Sequence, residues 1–422
     1  MRRQERAVAR RQLARWAAAL GALAVSVAPP AAPLTAQEIT LLTAGDIEWS
    51  RAVKPPAAYT LQPDLEVPIA VRGETRPRTW TSVPFLNRPE MRDSIAARTG
   101  REMVGGEIDA LGAHHRASII YPLAFGSEEE ELRYPFQAMR DVIRDADVAF
   151  ANLEMPLTDR GRHTGAFRGN PAFADAVRWA GFDVVSAANN HAFDAEAQGL
   201  IDTMANLRRA GVGYVGAGVD LESARAPHVV EVDGISIAFL GYTYGINVVG
   251  SWGFANEGLP GVMPLDPLLI EEDIRSVRDQ VDYVAVSLHW AVENSKDTHP
   301  DARAFAHALV DAGADIIIGH HPHVPRGVEV YAGRVIMYSL GNFAFGHGHT
   351  YWGDNYVARL TLTPDRITGV EILPIAGQGN DMSQPSLLSG NRAGVLLEEV
   401  RALSALLDTT VEIVGDLGRV RP

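Results

Sequence analysis

Three imidazoles crowd into four positions of the segment "IIIGHHPHVPRG": His320, His321 and His323 follow directly after Gly319 and the isoleucines 316–318. His321 and His323 are two residues apart, so on an extended segment their side chains point the same way. Other short apolar runs also end in side chains able to bind metal or move protons. They are Asp46 and Glu48 in "TAGDIEWS", Glu154 in "ANLEMPLT", Asn189, Asn190 and His191 in "SAANNH", and His289 in "VSLHW". Neutral imidazole combined with carboxylate suits Zn, Mn or Fe. A set this large is rich enough for two divalent ions. Each tip alone has a plainer reading. His289 beside Trp290 reads as a packed histidine, Asp46 as a turn or cap residue, and Asn189-Asn190 as turn formers. Together they favour one shared metal site.

The elements that must position these residues follow from periodicity. "EITLLTAGDIEWS" reads as a first strand. "YPFQAMRDVIRDADVAFANLE" reads as a helix, with Phe136, Met139, Val142 and Ile143 on one face, followed by a strand. "PAFADAVRWAGFDVVSAANNH" repeats the helix–strand unit, as do "LIEEDIRSVRDQVDYVAVSLHW" and "DARAFAHALVDAGADIIIGHHPH". "VVEVDGISIAFLGYTY" is a hairpin with an Asp-Gly turn. Helices alternating with strands and joined by hairpins predict an α/β domain with mixed sheets. In such sheets ligands bind beyond the carboxyl ends of the strands, where all of these tips fall.

Composition narrows the chemistry. The 422 residues include no cysteine, which excludes disulfides, thiolate catalysis, thiolate zinc sites and a lipoprotein anchor. The formal net charge is −14 and no basic patch stands out, so nucleic acid is not an expected partner. Residues 1–36 are different in kind. An Arg-rich start, a short apolar run at 16–27 and a small-residue stretch ending at Ala36 have the shape of a secretory signal peptide. Arg10-Arg11 gives it a loose twin-arginine look. An uncleaved anchor is the alternative. Export predicts a periplasmic or extracellular location. The expected organisation is a signal at 1–36, a catalytic-sized domain at 37–376 with a Pro-rich insertion at about 51–125, and a helical appendage at 377–422.

The motifs "TAGDI", "ANLEMPLT", "GFDVVSAANNHAFD", "VSLHW" and "GADIIIGHHPHVPRGVEVYAGRVIMYSLGNFAFG" resemble those of the CapA family of poly-γ-glutamate capsule synthesis proteins. That family is related to the calcineurin-like metallophosphatases. The resemblance covers residues 38–346 apart from the insertion, and its last motif is the most specific. It implies a sandwich of two mixed β-sheets flanked by helices. Carried over by position, it implies Asp46, Asn190, His289, His321 and His323 as metal ligands, Glu154 as the bridging acid and His191 as the general acid. Glu48 stands where the wider pattern has His, Glu154 where it has Asp, and Ala291 where Gly is usual. These departures leave the number of ions open. His320, Ser339 and Asn342, with Tyr338, are expected to orient the ligands or simply to pack.

The resemblance also implies metal-dependent hydrolysis of a phosphoester or an amide in a cell-envelope polymer. Expected partners are an anionic polymer or phosphoester substrate and a membrane synthase complex. A non-catalytic accessory protein of such a complex is the competing expectation. No nucleotide-binding loop of Walker type accompanies these motifs, which disfavours ATP-driven ligation.

Overall fold

The structure, a computed structural model, describes residues 37–50, 123, 125–160, 167–246, 253–346 and 352–422, with three short strands at 67–68, 117–119 and 348–349. The expected signal at 1–36 and most of the insertion at 51–125 lie outside the described residues. β1 (Ile39–Glu48) comes first, then β2 (Val67–Pro68) and β3 (Ala117–Ile119). Helices α1 (Glu128–Arg133) and α2 (Arg140–Asp145) precede β4 (Val148–Leu153). Next come α3 (Phe173–Ala180), β5 (Val184–Ser186), α4 (Glu196–Ala210), β6 (Gly213–Val215), β7 (Ala217–Gly218) and α5 (Leu221–Arg225). The hairpin β8 (His228–Val232) and β9 (Ile235–Thr243) leads through β10 (Gly261–Val262) to α6 (Pro267–Arg278) and β11 (Tyr283–His289). Then follow α7 (Pro300–Ala312), β12 (Ile316–His320), β13 (Val328–Tyr331), β14 (Arg334–Met337), β15 (Asn342–Phe345) and β16 (Gly348–His349). β17 (Asn355–Leu362), β18 (Ile367–Ile375), α8 (Gly390–Ala405), β19 (Glu412–Val414) and β20 (Leu417–Val420) close the chain.

Two mixed sheets form the centre. One runs β19-β20-β18-β17-β1-β4-β5-β6, with β15 also paired to β1; the other runs β13-β14-β12-β11-β9-β8. Their inner faces share one core. Leu41, Val148, Phe150 and Val184 of the first meet Ile237, Phe239, Ala285 and Ile318 of the second. Phe150 and Phe239 stack across the interface, with ring centres 5.2 Å apart and planes 3° apart. Helices cover the outer faces: α2, α3 and α4 over the first sheet, α6 and α7 over the second. This is the expected α/β sandwich.

The apolar spacing explains the helices. In α3 the buried Phe173, Ala176, Val177 and Ala180 fall at i, i+3, i+4 and i+7, and Gly181 ends the helix with φ 115°. The turn between β8 and β9 places Asp233 at φ 50° and Gly234 at φ 76°, the mirror-image turn that suits a twisted hairpin.

Two expectations are corrected. The single helix read before β4 is broken: Tyr134–Phe136 forms a 3-10 turn and α2 starts only at Arg140. Burying Phe136, Met139 and Ile143 under the sheet does not require an unbroken helix. The segment 377–422 is more than a helical appendage. Its strand β20 pairs with β18 and so covers that sheet edge. No helix among the described residues is long and apolar enough to cross a membrane.

Candidate metal centre

Sheet register brings the strand tips level. Asp46 on β1 lies beside Asn152 on β4 and beside Asn342 on β15. On the other sheet His289 at the end of β11 lies beside His320 at the end of β12. Gly45 permits the first arrangement. A Cβ there would stand 1.9 Å from the Gly341 carbonyl oxygen, and the adjacent Asp46 N–H donates to that oxygen. Beyond β12 the chain turns tightly. His321 (φ 93°) and His323 (φ 58°) both adopt left-handed backbone conformations, which non-glycine residues rarely do.

Asp46 is wholly buried. Its Oδ1 accepts a hydrogen bond from Asn152 Nδ2 (2.9 Å) and its Oδ2 one from the His321 backbone N–H (3.2 Å). His320 Nδ1 stands 3.1 Å from Oδ1 as a charge contact without hydrogen-bond alignment, and His323 Nδ1 stands 3.5 Å from Oδ2. Burial pushes the Asp46 carboxyl up, but His320, His323 and Asn152 outweigh it and hold the group below the ordinary carboxylate range.

Glu154 is equally buried, and neither of its oxygens has a hydrogen-bond donor among the described residues. Oε1 lies 3.6 Å from His289 Nε2 and 3.7 Å from His323 Nε2. Burial drives its carboxyl well above the usual range, and the charges of Asp46, Glu293, Glu48 and Asp194 push the same way.

The imidazoles are oriented by amides. Asn342 Oδ1 sits 2.8 Å from His323 Nδ1, which leaves Nε2 facing Glu154. His289 Nε2 contacts Asn190 Oδ1 at 2.7 Å, and its Nδ1 lies 3.3 Å from Asn152 Nδ2. The His321 ring centre is 4.9 Å from that of His289 and 4.6 Å from that of Tyr244. Burial pulls His289 well below the ordinary imidazole value, and burial pulls His321 down to about 3, with neighbouring histidine charge adding to both. Both rings are therefore neutral and offer lone pairs.

The residues fit a divalent cation. Two ligand atoms bound at about 2.1 Å with tetrahedral angles stand about 3.4 Å apart. The gaps of 3.6 and 3.7 Å from Glu154 Oε1 to His289 Nε2 and His323 Nε2 match that spacing better than they match hydrogen bonds. Ligand atoms of Glu154, His321 and His323 all lie within 4.8 Å of one another, as do those of Asp46, Glu154 and His289. Glu154 belongs to both groups, the position of a bridging acid.

Other expected residues are placed differently. Glu48 joins neither group. Its carboxylate accepts from the Ser50 and Gly346 backbone N–H groups, and its charge pushes the Glu154 carboxyl up. Ser339 Oγ donates to Val324 O and accepts from Gly341 N–H, which braces the turn. Tyr338 points away, with its hydroxyl donating to Glu329 Oε2. His191 belongs to neither ligand group. Its Nδ1 is 2.7 Å from Asp194 Oδ2, its ring centre is 4.0 Å from that of Phe167, and its charge reaches His289 and His321.

Sequence reading missed Asn152, Asp194 and Glu293. Asn152 lies two residues before Glu154, the same alternation that singled out His321 and His323. Asp194 lies three residues after His191 within one turn. Glu293 carried no local signal; its charge acts on Glu154 and His321.

Comparison with known proteins agrees with these motifs. The family described as "Bacterial capsule synthesis protein PGA_cap" matches residues 95–347. The PGA biosynthesis protein CapA of Bacillus subtilis (strain 168) is 36% identical over 246 residues, covering 57% of this chain and 64% of that protein. The capsule biosynthesis protein CapA of Bacillus anthracis is 33% identical over 274 residues, covering 61% of this chain and 65% of that one. A probable polyglutamine synthesis accessory protein of Mycobacterium tuberculosis is 34% identical over 229 residues, with 50% and 59% covered. The chain thus spans less than two thirds of the length of these relatives. Among solved structures, the calcineurin-like phosphoesterase YfkN of Bacillus subtilis aligns with 88% of this chain and 97% of its own, at 13% identity and a TM-score of 0.33, too loosely to support any statement of function. The family match spans more than half of the chain, which belongs to the bacterial capsule synthesis protein PGA_cap family.

Proposed function

We propose that this chain is an exported metal-dependent hydrolase acting in the synthesis or processing of a poly-γ-glutamate-type capsule or cell-envelope polymer. One observation carries the catalytic reading: a buried carboxylate without donors, Glu154, lies at ligand spacing from the imidazoles of His289, at the end of β11, and His323, in the turn after β12. The polymer is inferred from the names of relatives in Bacillus subtilis and Bacillus anthracis. Two divalent ions, Mn, Zn or Fe, would supply a water acidified toward neutrality and draw charge from the attacked group. Asp46, Glu154, Asn190, His289, His321 and His323 would hold them. Asn342 accepts the Nδ1 proton of His323 and so keeps its Nε2 lone pair toward the centre. Asp194 fixes the His191 ring through Nδ1 and leaves Nε2 to hand a proton to the departing oxygen or nitrogen. Asn189 accepts from the His191 backbone N–H and donates to Leu153 O, which ties that loop to the end of β4.

The bond cleaved is a phosphoester or a γ-glutamyl amide. The full chain, stripped of metal and reloaded with Mn²⁺, Zn²⁺ or Fe²⁺, should hydrolyse one of these classes in a paired screen. Metal binding without turnover of either class would favour a second reading, an accessory protein of a membrane synthase complex; the Mycobacterium tuberculosis relative is named a probable polyglutamine synthesis accessory protein. A chain that binds no divalent ion would refute the metal centre. Export with removal of residues 1–36 belongs to the same proposal, and the mass of the mature chain tests it.

A further inference from the structure

Three residues beyond His323 the chain buries a whole arginine. Arg326 is 1% exposed and forms no ion pair among the described residues. Its Nε donates to Ser295 O (2.8 Å) and its Nη2 to Val292 O (3.2 Å). Burial pulls the guanidinium down to about 10 against the opposing charge of Asp297, so it stays charged at neutral pH. Desolvating such an ion is costly, and two carbonyl bonds offset only part of the cost.

Both acceptors lie on one loop. Residues 291–295 follow His289 and include Ala291 (φ 71°) and Asn294 (φ 61°). Opposite them, His321 and His323 are also left-handed. Strained backbone of this kind persists only where its surroundings over-determine it. Here the two segments are stitched together. Trp290 N–H donates to His320 O (3.1 Å), and Asn294 N–H to Pro322 O (2.8 Å). Trp352 Nε1 donates to Asn294 Oδ1 (3.1 Å) while its ring centre lies 5.2 Å from that of His323. The Arg326 backbone is fixed as well, by Ser339 O (3.0 Å) and the Tyr356 hydroxyl (3.2 Å). A planar fork reaches two carbonyls three residues apart, which a compact ammonium does less well.

We propose that Arg326 is a positioning residue of the metal centre: it clamps the 291–295 loop onto the turn at residues 320–323 and holds His289, His321 and His323 in ligating geometry. This rests on the metal-centre reading above. The test is calorimetric titration of Mn²⁺ into the metal-stripped full chain, paired with urea unfolding of the same preparations. Arg326→Met should weaken Mn²⁺ binding about 10–100-fold. Arg326→Lys should recover part of that loss. Asp273→Asn is the control for lost stability, because it breaks a separate buried network with Arg225 and Tyr242; it should lose stability and keep wild-type Mn²⁺ affinity. Wild-type affinity in Arg326→Met would overturn the proposal. So would a loss of affinity that the control shares in step with its lost stability. If Arg326→Met does not fold, the lysine variant decides, and full wild-type affinity there overturns the clamp. A wild-type chain that binds no Mn²⁺ removes the metal centre itself, a failure distinct from an unaffected variant.

Discussion

Glu154→Gln should stabilise the metal-free chain and destabilise the metal-loaded one. Glu154 is 0% exposed and both of its oxygens lack donors. A buried polar atom without its partner costs about 1–3 kcal/mol, and more when charged. The pH dependence has a definite sign. The folded carboxyl binds its proton more tightly than the unfolded one, so across that window the folded state holds the extra proton. Stability of the metal-free wild type therefore falls as pH rises above the ordinary carboxyl value of 4.5. Glutamine has no proton to lose and removes that fall. At pH 8 without metal the variant should be the more stable by about 1–3 kcal/mol, and by less at pH 5. Mn²⁺ at about 100 times its Kd should stabilise the wild type by about 2.7 kcal/mol. The variant lacks the carboxylate common to both ligand groups and should gain much less. Urea unfolding followed by tryptophan fluorescence, with EDTA and with Mn²⁺, reads both arms. A variant less stable than wild type in EDTA at pH 8 refutes the reasoning, as does equal stabilisation of both by Mn²⁺.

Two further outcomes follow. His191→Ala should bind Mn²⁺ as the wild type does and lose about 10²–10⁴-fold in turnover, whereas His323→Ala should lose metal as well; equal metal loss in both would make His191 a ligand. Asp202, a buried residue of α4, is desolvated by burial but is held below the usual carboxylate value by Arg160, Thr158 and Gln198. Its folded value lies below its unfolded one, so its contribution is present at neutral pH and lost as pH falls through the folded value. Asp202→Asn should be less stable than wild type at pH 7, with the gap closing below about pH 4; a gap unchanged down to pH 3 would show that charge is not its source.

Much of the candidate site was legible locally. An apolar run of four to seven residues ending in Asp, Asn or His marks a strand tip; the extended segment expected at His321 and His323 is instead a tight turn with both residues left-handed, so the turn and not strand alternation brings their rings to the site. The helix–strand units were legible from the same periodicity because burying one helix face requires it. What each tip does was not. Glu48 has a ligand's chemistry, yet the chain after β1 turns so that its oxygens meet backbone N–H groups of Ser50 and Gly346. Asn152 looks like an ordinary strand residue until register sets it beside Asp46, 106 positions away.

The sequence by itself determined which side chains stand at strand ends, because that depends on neighbours within one element. Only the tertiary structure decided which of them meet. Asn190 reaches His289 across 99 positions, and the His321 backbone reaches Asp46 across 275. Those meetings require the two sheets to stack through Phe150 and Phe239, so that tips from both open onto one buried space. Such contacts carry no short-range period, because the energy that selects them comes from apolar surface shared between segments remote in the chain.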